Sequence, residues 1–281
     1  MVGFVTIGSC LVGVPAVYLM GEYKWKRLND AKVDRSDHFL ANFIDRTGAM
    51  PPREEILAFA APLPEHEKAF LSELAECYPD TIGLFNCGAG HVPLQQNLDA
   101  DNIDIILMDN MLETMVHGWS VDTAAGRFFT STLPFQFCKD KDAILARTRS
   151  APRLTARESV ANWKRIIRFF RDAVPRAEII FACAPCCLSG DDLERHRCSR
   201  DFHLLLEDEA EALGIDLIPP LDVEPQYTKL PDDRSHFDNA IYKAMAGHIV
   251  MCHSAKLSAR LGLRAARSGR RNPATDMRRA S

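Results

Sequence analysis

The residues of this chain best equipped for covalent chemistry stand at two places far apart in sequence. Ser9 and Cys10 close the run "VTIGSC", a hydroxyl beside a thiol after a glycine. Asp233 and His236 stand three apart in "DDRSHF". A serine hydroxyl is a weak nucleophile until a neighbouring imidazole takes its proton. A carboxylate on the other ring nitrogen fixes the imidazole's tautomer and stabilises its cation. Two residues in one Asp-x-x-His turn can make that second contact locally. Ser9, His236 and Asp233 therefore read as nucleophile, base and orienting acid, with Asp232 as the adjacent carboxylate. Cys10 is the rival nucleophile, because a thiolate needs less activation.

Such groups work only if the chain brings them together. Short apolar runs recur at 3–7, 81–86, 103–108, 177–183 and 215–220, each nearly continuous, as strands buried on both faces of a parallel sheet are. Amphipathic stretches lie between them: 65–77, a helix opened by the Thr155/Glu158 capping-box pair, 192–213 stopping at Gly214, and 238–259 starting at Asp238 or Asn239. Alternation over the whole length predicts a doubly wound, three-layer α/β sandwich with a central parallel sheet. Residues 20–62 and 111–150 are less regular and read as excursions over the sheet edge or lids. In an open parallel sheet functional groups gather beyond the carboxyl ends of the strands. The predicted strands end in Gly8-Ser9-Cys10, "NCGAGH", "MDNM", "APCC" and, beyond a loop, the Asp233–His236 turn.

In that order, these blocks resemble the SGNH (GDSL-like) hydrolase superfamily over about residues 3–255, with a Gly-Ser-Cys start close to one subgroup. The resemblance implies a flavodoxin-like α/β/α fold and an esterase or deacylase cleaving an acyl ester, carbohydrate esters included. It makes Ser9 the nucleophile with Asp233 and His236, Asn110 the block-three asparagine, and Gly90 or Gly88 the loop glycine. The Ser9 amide, the glycine amide and the Asn110 side chain would then hold the oxyanion. Block three departs from the family pattern: its glycine is missing and Met111 stands where an acid is usual. An O-acyltransferase of glycoconjugate assembly using the same site, and a catalytically inactive binding module, are the alternatives. No cofactor or metal is expected.

Composition sets outer bounds. The chain has 281 residues, is 47% hydrophobic and carries a net charge of −4, so nothing global points to a nucleic-acid partner. From Arg260 onward seven arginines face one acid, and 260–281 reads as a basic tail after a 1–259 hydrolase-like domain. The substrate is expected to be a small molecule or carbohydrate ester. No stretch reads as a membrane span; the uncharged residues 2–20 read as strand, turn and helix. Nine cysteines, odd in number and mostly within apolar runs, suggest reduced core thiols and a cytoplasmic protein rather than a disulfide framework. Cys183, Cys186, Cys187, His196 and Cys198 invite a zinc reading, against which no second Cys-x-x-Cys exists; the family resemblance instead implies that Pro185 and the cysteines border the site and shape its pocket. Asp109 pairs with loop amides or caps the following helix. His91 and His248 are further candidate site histidines, His248 reading as packed. Trp119, Phe128, Phe129, Phe135 and Phe137 read as lid packing or a pocket wall.

Overall fold

The computed structural model describes residues 1–33, 35–48, 101–114, 118–124, 126–130, 142, 145–187, 193–230 and 233–268. The predicted 65–77 helix and 81–86 strand, with Gly88, Gly90 and His91, lie outside the described residues. In chain order the elements are β1 (Gly3–Gly8), α1 (Cys10–Gly21), β2 (Lys26–Lys32), α2 (Ser36–Phe39), β3 (Ile105–Asp109), β4 (Gly118–Thr123), β5 (Gly126–Thr130) and β6 (Thr148–Ala151). Then come α3 (Ala156–Ala173), β7 (Glu178–Ala182), β8 (Cys186–Cys187), α4 (Leu193–Leu213), β9 (Ile215–Ile218), β10 (Asp222–Val223), β11 (Thr228–Leu230), β12 (Asp233–Phe237) and α5 (Asn239–Ser268).

The main sheet runs β2-β1-β3-β7-β9, every neighbouring pair parallel. This is the doubly wound 2-1-3-4-5 order of the flavodoxin-like fold, with the winding reversing between β1 and β3. Alternation along each inner strand divides the core in two. Val5, Ile7, Ile106, Met108, Ile179 and Phe181 face Phe39, Trp163, Phe170 and Phe202 of α2, α3 and α4. Phe4, Ile105, Leu107 and Ile180 face Leu11, Val12 and Leu19 of α1 and Tyr242, Met245 and Ile249 of α5. A strand packed on both faces has no polar side to show, which is why these runs read as unbroken apolar stretches.

Local chemistry starts and stops the helices. Thr155 Oγ1 accepts the Glu158 N–H at 3.3 Å while a Glu158 oxygen accepts the Thr155 N–H at 2.9 Å, closing the capping box of α3. α4 ends on Gly214, whose φ of +66° is cheap only without a Cβ. Asp238 Oδ1 accepts the Ala240 N–H at 2.8 Å at the start of α5, which continues past Arg260 to Ser268.

Two regions read as irregular hold strands. β2, "KRLNDAK", forms an edge of the described sheet; its Asp30 accepts the Thr6 hydroxyl of β1 at 2.5 Å and pairs with Arg27 at 3.0 Å. Strands β4, β5 and β6 form a separate antiparallel sheet in the order β5-β4-β6, with β4 at its centre. Gly118 seats it against the α2 turn: a Cβ there would come within 2.8 Å of the Arg35 guanidinium carbon and 3.0 Å of His38 Nε2. Buried Arg35 in turn donates to Asp37 and, at 2.8 Å, to the Pro152 carbonyl. Among the described residues no helix is long and apolar enough to cross a membrane.

Candidate active site

The reversal between β1 and β3 is where a doubly wound sheet opens a crevice at its carboxyl edge. β1 delivers Ser9 there and β3 delivers Asp109 and Asn110, so residues a hundred positions apart meet. Ser9 is the N-cap of α1, its Oγ accepting the Leu11 N–H at 3.2 Å. Its amide donates to Asp109 Oδ2 at 2.7 Å, and its hydroxyl donates to Asp109 Oδ1 at 2.8 Å. Oδ2 also accepts the Val12 N–H at 3.2 Å, and Oδ1 the Met111 N–H at 3.0 Å.

Asp109 is thus the hub of the corner, a fuller role than either sequence alternative: it binds the start of α1, the Ser9 hydroxyl and its own following loop at once. Its side chain is 1% exposed. Burial pushes its carboxyl from 3.8 up to about 6, although four hydrogen bonds favour the anion and pull the other way. Gly8 makes room for it, since a Cβ there would lie 2.4 Å from Oδ2 and 2.7 Å from Cγ. The sequence signal was an acid closing an otherwise apolar strand.

Asn110 is buried, and its Oδ1 accepts the Ala184 N–H just beyond β7 at 2.9 Å. That fixes the amide's orientation and leaves its NH₂ as the donating end. The Ser9 amide, expected among the oxyanion donors, is instead engaged by Asp109. Cys10 opens the first turn of α1 and is partly exposed, whereas Ser9 is 7% exposed.

The structure brings Ser9 and Asn110 to neighbouring strand ends. Asp233 and His236 belong to β12, paired antiparallel with β11, but their side-chain positions, like all of Asp232, lie outside the described residues. Phe237, directly after His236, is fully buried in the cluster that holds Leu11, Met111 and Ala184, and its N–H donates to the Tyr242 hydroxyl at 3.2 Å. His248 is exposed on α5 rather than packed. Cys183, immediately after β7, is buried with its Sγ 3.7 Å from His203 Nδ1, while Cys198 Sγ lies 3.8 Å from the Leu154 carbonyl. No group of three metal-ligating side chains occurs among the described residues.

No protein-family model matches the chain, and no curated protein matches it. Among solved structures it is similar to an active-site mutant of a family two carbohydrate esterase from Clostridium thermocellum (11% identity, TM-score 0.46). That likeness covers 92% of this chain and 64% of the esterase, so the chain spans under two thirds of that protein's length. A family 2 carbohydrate esterase from Corynascus thermopiles (Myceliophthora fergusii), with a carbohydrate-binding domain, is similar at 10% identity and TM-score 0.44, over 92% of this chain and 67% of that one. An extracellular lipase from Streptomyces rimosus is similar at 10% identity and TM-score 0.39, over 85% and 93%.

Proposed function

We propose that this protein is an ester hydrolase of SGNH type, acting on an acyl ester of a small molecule or carbohydrate from the β1–α1 corner. Ser9 attacks the carbonyl; Asp233 and His236 form the acid–base relay; the Asn110 NH₂, with an amide of Gly90 or Gly88, meets the oxyanion. The observation that carries the reading is the buried meeting of Ser9, Asp109 and Asn110 at the point where the sheet's winding reverses. The hydrogen bond from the Ser9 hydroxyl to Asp109 at 2.8 Å fixes the rotamer of the nucleophile at the crevice.

A second reading has one specific observation in its favour. Ser9 caps α1, is bonded through both its amide and its hydroxyl, and is almost enclosed, whereas Cys10 beside it is partly exposed. Cys10 would then be the nucleophile and Ser9 its structural support. Hydrolysis of p-nitrophenyl acetate by the wild type, Ser9→Ala and Cys10→Ala separates the two. The first reading expects Ser9→Ala to lose turnover by about 1,000-fold or more and Cys10→Ala to stay within a few-fold. The reverse pattern moves the chemistry to Cys10, and folded wild-type protein that turns over no ester defeats both.

A further inference from the structure

We propose that the end of α5, beyond the main sheet, is a docking element for an anionic membrane surface, held there by a stripe of basic residues with leucines beside it.

α5 packs on the sheet through Tyr242, Met245, Ala246 and Ile249, all buried. The same register then meets the beginnings of two strands. His253 Nδ1 lies 3.0 Å from Oε2 of Glu178, the first residue of β7, and Lys256 Nζ lies 2.5 Å from Oδ2 of Asp216 in β9. The strands start there, but the helix continues to Ser268, about 18 Å past Lys256. Leu257, Ser258 and Ala259, the first residues beyond, are exposed. At 3.6 residues per turn, the positions of Arg260, Arg264 and Arg267 fall in line with that of Lys256, within an arc of about 80°. The packing stripe of α5 therefore turns cationic where the sheet ends. No acid offsets it locally, since none occurs between Asp238 and Asp276.

Cations repeated turn after turn along one line suit an extended negative surface rather than a single anion. The leucines choose among such surfaces. Leu257, Leu261 and Leu263 stand between the cations in sequence, and Leu257 is 47% exposed. Nucleic acid offers phosphates to the arginines but no apolar layer to the leucines. A bilayer interface offers both, and basic helices carrying leucines lie in it. Each Lys or Arg held near anionic headgroups strengthens binding about 5-fold. The ion pairs to Glu178 and Asp216 root the helix at the amino edge of the sheet, opposite the carboxyl edge that bears Ser9 and Asn110. A molecule docked through this element turns its candidate site away from the bilayer.

The test is cosedimentation of the full chain with phosphatidylcholine vesicles, with and without phosphatidylglycerol, at low and high salt. The wild type should bind only the anionic vesicles and leave them at high salt, because screening removes the attraction. Replacing Arg260, Arg264 and Arg267 together by Gln should weaken binding about 100-fold. Leu257→Ser should weaken it a few-fold. Both variants should melt where the wild type does, since the changes lie past the packed part of α5. If the triple variant does not fold, the salt release of the wild type and Leu257→Ser decide. Equal binding to neutral and anionic vesicles, or no binding to either, overturns the proposal. So does duplex DNA held more tightly than anionic vesicles, or full binding by the folded triple variant. The DNA result would make the stripe a nucleic-acid contact.

Discussion

At the residue scale, a single buried carboxyl carries a measurable thermodynamic signature. Unfolded, Asp109 loses its proton near 3.8; folded, it keeps it up to about 6. Between those values the native state binds more protons, so the Asp109 contribution to stability is complete below about pH 4 and is lost as pH rises through about 6. The shift is equivalent to about 3 kcal/mol. Asp109→Asn lacks this titration, so the stability difference between wild type and variant should move by about that amount against the wild type from pH 4 to pH 7. Urea unfolding at the two pH values measures it, and a constant difference would show that Asp109 titrates alike in both states. The position of Ser9 and Asn110 directly after two strands was legible in the apolar runs that precede them. The centrality of Asp109 was not, since it depends on β3 lying beside β1, and pairing is not written into either strand.

At the element scale, legibility followed burial. β1, β3, β7 and β9 lie between two helix layers, so their apolar runs announced them. β2 forms an edge of the described sheet and satisfies its polar side chains through Asp30, Thr6 and Arg27, leaving no apolar run to see. The antiparallel sheet is legible only in part. In β4, buried Gly118 and Val121 alternate with half-buried residues on no strict period of two. Asp122, held below the usual carboxylate range by Arg127 and Arg149, joins it to its two neighbouring strands. The helix ends were the clearest local signals. Gly214→Ala should cost about 1–2 kcal/mol, because φ stays at +66° while the added methyl meets only the flexible end of Arg171 at 3.3 Å. A melting temperature lowered by a few degrees would agree, and an unchanged one would mean that the chain relaxes out of the left-handed conformation.

At the scale of the whole molecule, buried polar side chains fasten the helix layer to the carboxyl edge where the candidate site lies. Glu113, three residues after Asn110, accepts the Ser36 N–H at 2.7 Å and the Trp163 Nε1–H at 2.9 Å, and also bonds the Ser159 hydroxyl. It thereby joins the β3 loop to α2 and α3, and burial holds its carboxyl above the usual range. Sequence alternation predicts that these layers exist, but not which acid joins them. The same architecture makes the central claim local, because a nucleophile at the β1–α1 corner must carry the acyl group. The direct measurement is trapping the acyl-enzyme: a rapid acid quench during p-nitrophenyl acetate turnover, then peptide mapping. The account predicts an acetyl group on the Ser9 hydroxyl, present in Cys10→Ala and absent in Ser9→Ala. An acetyl group on Cys10, or turnover that leaves no adduct on this corner, would contradict it.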